Sequence, residues 1–281
     1  MVELSSGPAA EVIRFDDVHL GFAGHPVLTG VSFVLRTGES LVLLGVTGSG
    51  KTLVLKLALG LLKCDAGRIH VFGTDSTQLE EEELFPLRAR LGIVFQESAL
   101  FDSLTVYENV AFRLLEEREH GGEDYSDEEI EQRVRQVLCF VELEHAIDKQ
   151  PAELSGGMKR RVGIARALIT EPAAVLYDSP TGGLDPVTSH TINSLIIKAR
   201  DVNQVSSVVV THRLQDGFAL ANYTYDPHAN QVRQAPKLRG DGSERPTHTR
   251  FLLLREGRIA FDGKPQDFLA QTDPYVRRYF A

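Results

Sequence analysis

Gly45-Val46-Thr47-Gly48-Ser49-Gly50-Lys51-Thr52 decides the reading of this chain. It fits the pattern G-x-x-x-x-G-K-[ST], and its flanks supply the context that pattern needs. Ser40–Leu44 before it is short and apolar, as a buried strand is. After it, Leu53, Leu57 and Leu61 recur at helical spacing. A strand, a glycine turn and a helix in that order make a phosphate cradle. Gly45, Gly48 and Gly50 let backbone N–H groups approach phosphate oxygens without a Cβ in the way, and Thr47 and Ser49 share the loop. The helix points its positive N-terminal end at the anion. Lys51 can reach the β- and γ-phosphates, and Thr52 can offer a hydroxyl oxygen to Mg²⁺. These residues are the candidate ATP contacts.

A second carboxylate completes the expectation. Residues 174–186 read A-V-L-Y-D-S-P-T-G-G-L-D-P. The apolar run 174–177 predicts another buried strand, and Asp178 ends it. Alone, Asp178 is an ordinary turn or cap aspartate. Paired with the phosphate loop, it is a candidate Mg²⁺ ligand.

Further out, residues 12–20, 31–35, 68–72, 91–95, 207–210, 251–254 and 257–261 read as strands. The acidic run 80–83 reads as a solvated face or loop. Ser126 with Glu129 predicts a capped helix start, followed by Ile130, Val134, Val137, Leu138 and Val141 on one face. Residues 116–124 read as an exposed connector before it. Further helices are expected over 156–168 and 265–271. Residues 222–250 are polar and carry Pro227, Pro236, Pro246 and a G-D-G-S stretch, which predicts an inserted loop or loose hairpin. That insertion is either a partner-binding element or a tolerated surface excursion.

Composition narrows the function. Hydrophobic residues at 42% and charged residues at 25% are ordinary for a folded domain of this length, 281 residues. The net charge of -9 argues against a nucleic-acid partner. No uncharged apolar run reaches about 18 residues, so no span of its own is expected, and the N-terminal stretch lacks a signal-peptide pattern. Cys64 and Cys139 have no metal-ligand spacing and read as thiols in a reducing compartment.

Leu154-Ser155-Gly156-Gly157-Met158 then resembles the signature segment of ABC-transporter ATPases. It opens a basic helical stretch and lies upstream of the Asp178 strand, as in that family. Gly182-Gly183-Leu184-Asp185 resembles the family's D-loop. Gln96 resembles its Q-loop glutamine and a Mg²⁺ ligand, and His212 its switch histidine. Phe22 sits where the family places a ring against adenine. The resemblance covers residues 11–265 and implies an α/β fold. That fold is an ABC-type P-loop NTPase with a RecA-like parallel-sheet core, an N-terminal antiparallel β portion, an α-helical signature subdomain near 97–168, and a tail over 266–281. Residues 96–112 look further like ATPases paired with Mce-type lipid carriers of the bacterial envelope.

The family implies a head-to-tail ATPase dimer in which Ser155 and Gly157 meet nucleotide across the interface, with Gly156 and Asp185 as further nucleotide contacts. It also implies a separate membrane permease and a place on the inner face of the cytoplasmic membrane. One position departs: the family's catalytic glutamate is Ser179. Three consequences stay open: slow hydrolysis, pairing with a different ATPase, or another carboxylate such as Asp185 or Glu97 moving in. The leading function is the energising subunit of a lipid-trafficking transporter. The alternative is a hydrolysis-poor ATP-gated regulatory subunit. A repair or translation ATPase is disfavoured, because the chain shows no second ATPase domain, coiled coil or basic surface. The end segment 273–281 either docks on a neighbour or packs as a chain end.

Overall fold

Alternation along the central strands sets the architecture. The computed structural model describes residues 10–119, 124–236 and 249–277. In β3 (Ser40–Leu44) every residue is buried. Leu41 and Leu43 face one apolar core, while Val42 and Leu44 face another. A strand covered on both faces has no polar side to show, which is why it reads as a continuous apolar run.

The first core lies under an antiparallel sheet. Here β1 (Glu11–Phe22) pairs with β2 (His25–Arg36), and β4 (Ala66–Val71) pairs with β1 and with the short β5 (Thr74–Asp75). Phe15 and Phe33 stack across the β1–β2 pair with centroids 4.7 Å apart. Helix α1 (Lys51–Ala58) packs Val54, Leu55 and Leu57 into the same core. This helix is shorter than Leu53, Leu57 and Leu61 predict. Gly60 adopts φ +66°, where a Cβ would also lie 2.7 Å from Leu84. The chain turns there, and Leu61 is left 48% exposed.

The acidic run is a helix start. Glu80 caps α2 (Glu81–Ala89) and Glu83 reaches back to the Glu80 N–H, so three carboxylates line the positive first turn. The main sheet then builds up from β6 (Leu91–Val94), β7 (Ala174–Asp178), β8 (Ser206–Thr211), β11 (Thr249–Arg255) and β12 (Arg258–Gly263), in the order β12-β11-β3-β8-β7-β6. All pairs except β11–β12 are parallel.

The second core is covered by helices. These are α3 (Val106–Glu119), α4 (Asp127–Phe140), α5 (Gly156–Leu168), α6 (Pro186–Asn203) and α7 (Leu214–Asn222). Residues 116–119, expected in a connector, complete α3, and residues 120–123 lie outside the described residues. Ser126 and Glu129 form the expected capping box of α4. The long α6 has no counterpart among the sequence expectations. The expected helix over 265–271 is α8 (Pro265–Leu269), followed by the short α9 (Pro274–Arg277). Residues 278–281 of the end segment lie outside the described residues.

The insertion is not loose where it is described. It opens as the hairpin β9 (Tyr223–Asp226) and β10 (Gln231–Gln234). Residues 237–248, including G-D-G-S and Pro246, lie outside the described residues. The hairpin is held to α6 by Asp201, which accepts from Tyr225 N at 2.7 Å and Thr224 Oγ1 at 2.8 Å while pairing with Arg200. Burial raises the Asp201 pKa. The Arg200 hydrogen bond and charge, then the Tyr225 and Thr224 donors, outweigh it and leave the carboxyl below its ordinary 3.8. A depressed pKa stabilises the fold above 3.8 and loses that contribution as pH falls through the lower, folded value. Asp201→Ala is therefore expected to cost about 2–3 kcal/mol in urea unfolding at pH 7, the scale of a charged hydrogen-bond set. The gap between wild type and variant should shrink as the pH is taken below that value.

Candidate nucleotide site

Parallel strands end on one edge, and the loops leaving that edge carry the expected residues. Leu44 of β3 is paired with Thr211 of β8, Asp178 of β7 with Val210 of β8, and Val94 of β6 with Tyr177 of β7. The chain therefore leaves β3 into Gly45–Thr52, β8 into His212, β7 into Ser179 and β6 into Gln96, all at the carboxyl edge. Open α/β sheets take their ligands there.

The phosphate loop is shaped by its glycines. Gly48 and Gly50 have φ of +81° and +97°. At Gly45 a Cβ would stand 2.5 Å from Ser49 Oγ and 2.9 Å from the Leu254 carbonyl oxygen. Lys51, buried at the start of α1, donates from Nζ to the carbonyls of Gly45 and Val46 at 2.9 and 2.8 Å. Burial lowers its pKa, and the charge of Asp178 works against that. Thr52 Oγ1 donates to Asp178 Oδ2 at 2.9 Å, so the two oxygens expected on Mg²⁺ are already adjacent. Ser49 Oγ is buried with no hydrogen-bond partner among the described residues. An orphaned hydroxyl, a loop turned by positive-φ glycines, and a hydroxyl–carboxylate pair all suit a Mg²⁺-bound polyphosphate. Among the described residues no cluster of three or more His, Cys, Asp or Glu side chains could hold a metal alone.

Ser179 follows at φ +46°, half-buried, with Oγ 3.5 Å from Asp178 Oδ1. Its backbone is fixed from both sides: its N–H donates to the Val210 carbonyl at 2.8 Å, and its carbonyl accepts from Gly182 N at 2.9 Å. Gln96, Glu97 and His212 are exposed at the same edge. Gln96 approaches Gly182, where a Cβ would lie 3.8 Å from its Cγ.

The other expected residues lie on other elements. Phe22, 48% exposed, ends β1 in the antiparallel sheet. Ser155 caps α5, accepting from Met158 N at 3.3 Å, and Gly156 is exposed beside it. Gly157 packs so closely on α6 that a Cβ would lie 2.5 Å from Thr188 Cγ2. Asp185 caps α6, accepting from Val187 N and Thr188 N at 3.0 Å each. Hydrogen bonds from Thr188, hydroxyl first, hold its carboxyl below the usual range. A carboxylate so committed is a poor proton acceptor, which argues against Asp185 in place of the missing glutamate.

Arg160 reads in the sequence only as part of the basic stretch after the signature segment. It is 5% exposed, on α5, and donates to the Phe95 carbonyl at 2.9 Å and, at the limit of 3.5 Å, to that of Gly182. It thus ties the helix opened by Ser155 to the loops after β6 and β7. Thr181, Asp216 and Arg213 went unnoticed. Their place beside Ser179 and His212 was visible, but their contacts were not.

The pattern of the ABC transporter family matches residues 28–182, and the chain belongs to that family of ATP-binding subunits. It is 36% identical to the chloroplastic protein trigalactosyldiacylglycerol 3 of Arabidopsis thaliana, over 95% of this chain and 73% of that protein. It is 36% identical to the probable ribonucleotide transport ATP-binding protein mkl of Mycobacterium tuberculosis, over 97% and 67%. It is 39% identical to the methionine import ATP-binding protein MetN of Rhizobium etli, over 74% of this chain but only 56% of that protein. In structure it matches the dimeric ATP-binding cassette MJ0796, in a post-hydrolysis state bound to ADP and Pi. That match has a TM-score of 0.73 and 27% identity, covering 90% of this chain and 98% of that one. The fold is that of the ABC ATPase cassette, whose members bind and hydrolyse ATP with Mg²⁺.

Proposed function

We propose that this chain is the ATP-hydrolysing subunit of an ABC transporter that moves lipids or other hydrophobic molecules across a bacterial envelope. The observation that carries the ATP chemistry is the Thr52–Asp178 contact of 2.9 Å beside the phosphate loop. Lys51 and the loop N–H groups bind the phosphates, and Phe22 stacks on the adenine. Thr52, Asp178 and Gln96 would hold Mg²⁺, which neutralises phosphate charge when bound. His212 senses the γ-phosphate. Two copies associate head to tail, so that Ser155, Gly156 and Gly157 of one lie over the nucleotide of the other and Asp185 borders it. Amides at the start of α5 suit that anion.

Hydrolysis is slow in this reading, because Ser179 is uncharged at neutral pH. Phosphoryl transfer depends chiefly on positioning and charge neutralisation, so turnover is reduced rather than abolished. Closure and reopening of the dimer drive a separate permease of the Mce-associated kind on the cytoplasmic face of the membrane. Among the described residues no helix is long and apolar enough to cross a membrane.

Support for the cargo is the character of residues 96–112 and a relative that bears the name of a galactolipid. Other relatives are named for methionine, sulfate and ribonucleotides. The test is co-purification with the permease, followed by ATP turnover in vesicles of phospholipid against vesicles supplied with methionine, sulfate or nucleotide. Stimulation by lipid alone is expected. Stimulation by a polar solute would replace the cargo class.

A further inference from the structure

Three elements converge on one buried carboxylate outside the assigned site. Asp216, on α7, is 1% exposed. Its Oδ2 accepts from Thr181 Oγ1 at 2.6 Å and from Thr211 Oγ1 at 2.9 Å, and its Oδ1 accepts from Asn193 Nδ2 at 3.0 Å. A buried carboxylate is costly unless donors replace the water it has lost, and here three do. The donors come from the loop after β7, the end of β8 and the middle of α6.

The positions matter more than the number of bonds. Thr181 lies two residues beyond Ser179, and Thr211 immediately precedes His212. Arg213, on the far side of His212, adds a second tie. Its Nη1 donates to the Thr181 carbonyl at 3.3 Å and to Ser189 Oγ at 2.9 Å, and its own N–H donates to Thr211 Oγ1 at 3.0 Å. Both neighbours of exposed His212 are thus bonded into the cluster that grips Thr181. The two loops are otherwise joined through the Ser179 N–H to Val210.

We propose that the Thr181–Asp216–Thr211 clamp sets the spacing between the Ser179 loop and His212, and that these three are positioning residues for ATP-driven closure and hydrolysis. The proposal rests on the reading of His212 and Ser179 as facing the γ-phosphate. It makes the clamp a device that acts after nucleotide has bound, since none of its members belongs to the phosphate loop.

The experiment uses the full chain with Thr181→Val, which keeps the volume and removes the donor, and Thr181→Ser, which restores the donor. Thr211→Val repeats the test from the other side. Affinity for a fluorescent ATP analogue, ATP-dependent dimerisation by sedimentation, and single-turnover hydrolysis at saturating ATP are measured together. Thr181→Val and Thr211→Val are expected to lose about 10-fold or more in dimerisation and turnover, the scale of one hydrogen bond to a charged group. Analogue affinity should change by less than about 3-fold, and Thr181→Ser should recover most of the loss. Valine variants with wild-type closure and turnover would overturn the proposal. So would equal impairment of Thr181→Val and Thr181→Ser, or failure of both valine variants to fold, which would make the cluster purely structural. Absent turnover in the wild type would count against the ATPase reading. Dimerisation would then still decide the clamp.

Discussion

Ser179→Glu is expected to raise ATP turnover by about 10²- to 10⁴-fold, the usual contribution of a positioned general base. The backbone there is already held, through Val210 on one side and Gly182 on the other, so a longer side chain starts from a fixed point. It leaves the strand beside Asp178 and is half-buried, and in the proposed function a carboxylate there would face the water that attacks the γ-phosphate. The positive φ of 46° is no new burden, since serine already bears it. Phosphate release by the permease complex, wild type against variant, gives the answer. An unchanged rate would mean that another group takes the proton. Glu97, exposed beside Gln96, is then the carboxylate to change to glutamine, because Asp185 is committed to its helix cap.

Lys51→Ala is expected to weaken ATP binding by about 10²-fold or more and to remove turnover with it. One or two charge-assisted hydrogen bonds to phosphate, at about 1.5–3 kcal/mol each, account for that loss. The ligand-free fold should tolerate the change. Burial lowers the Lys51 pKa, so at neutral pH the ammonium opposes folding by its desolvation, and the variant exchanges two carbonyl contacts for relief from that cost. The sign follows from proton counting. Below the lowered folded pKa the cost is fully present, and it fades as pH rises through that value toward the ordinary 10.5. Calorimetric nucleotide affinity beside a thermal midpoint separates lost binding from lost structure. A large drop in the midpoint would refute this division.

What the sequence made legible was the placement of residues whose motifs are short and local. The phosphate loop, Asp178, Gln96 and His212 each follow an apolar strand, and adjacent parallel strands deliver them to one edge. Helix α6 was missed because Val187, Thr188, Thr191, Ile192, Ile196 and Ile197 are β-branched and blur the helical signal. Its Asp185 cap and first-turn Pro186 were the readable clue. Leu61 was overread because periodicity continued past a glycine that ends the helix. The Asp216 cluster could not be read at all, since Thr181 meets it across 35 residues. Such a pair depends on how α6 and α7 pack, which no local pattern encodes.

The position of β3 between β8 and β11 constrains the order in which the molecule can be made. Strand β11 begins at Thr249, which pairs with Ser40 near the other end of the chain. A nascent polypeptide emerging from the ribosome exposes the phosphate-loop strand early, yet one flank of that strand stays open until residues 249–255 have cleared the exit tunnel. Contacts of such long sequence separation form slowly. During synthesis the unpaired edge of β3, flanked by its apolar side chains, is a site for mispairing or chaperone capture, and a translational pause before β11 would prolong the exposure.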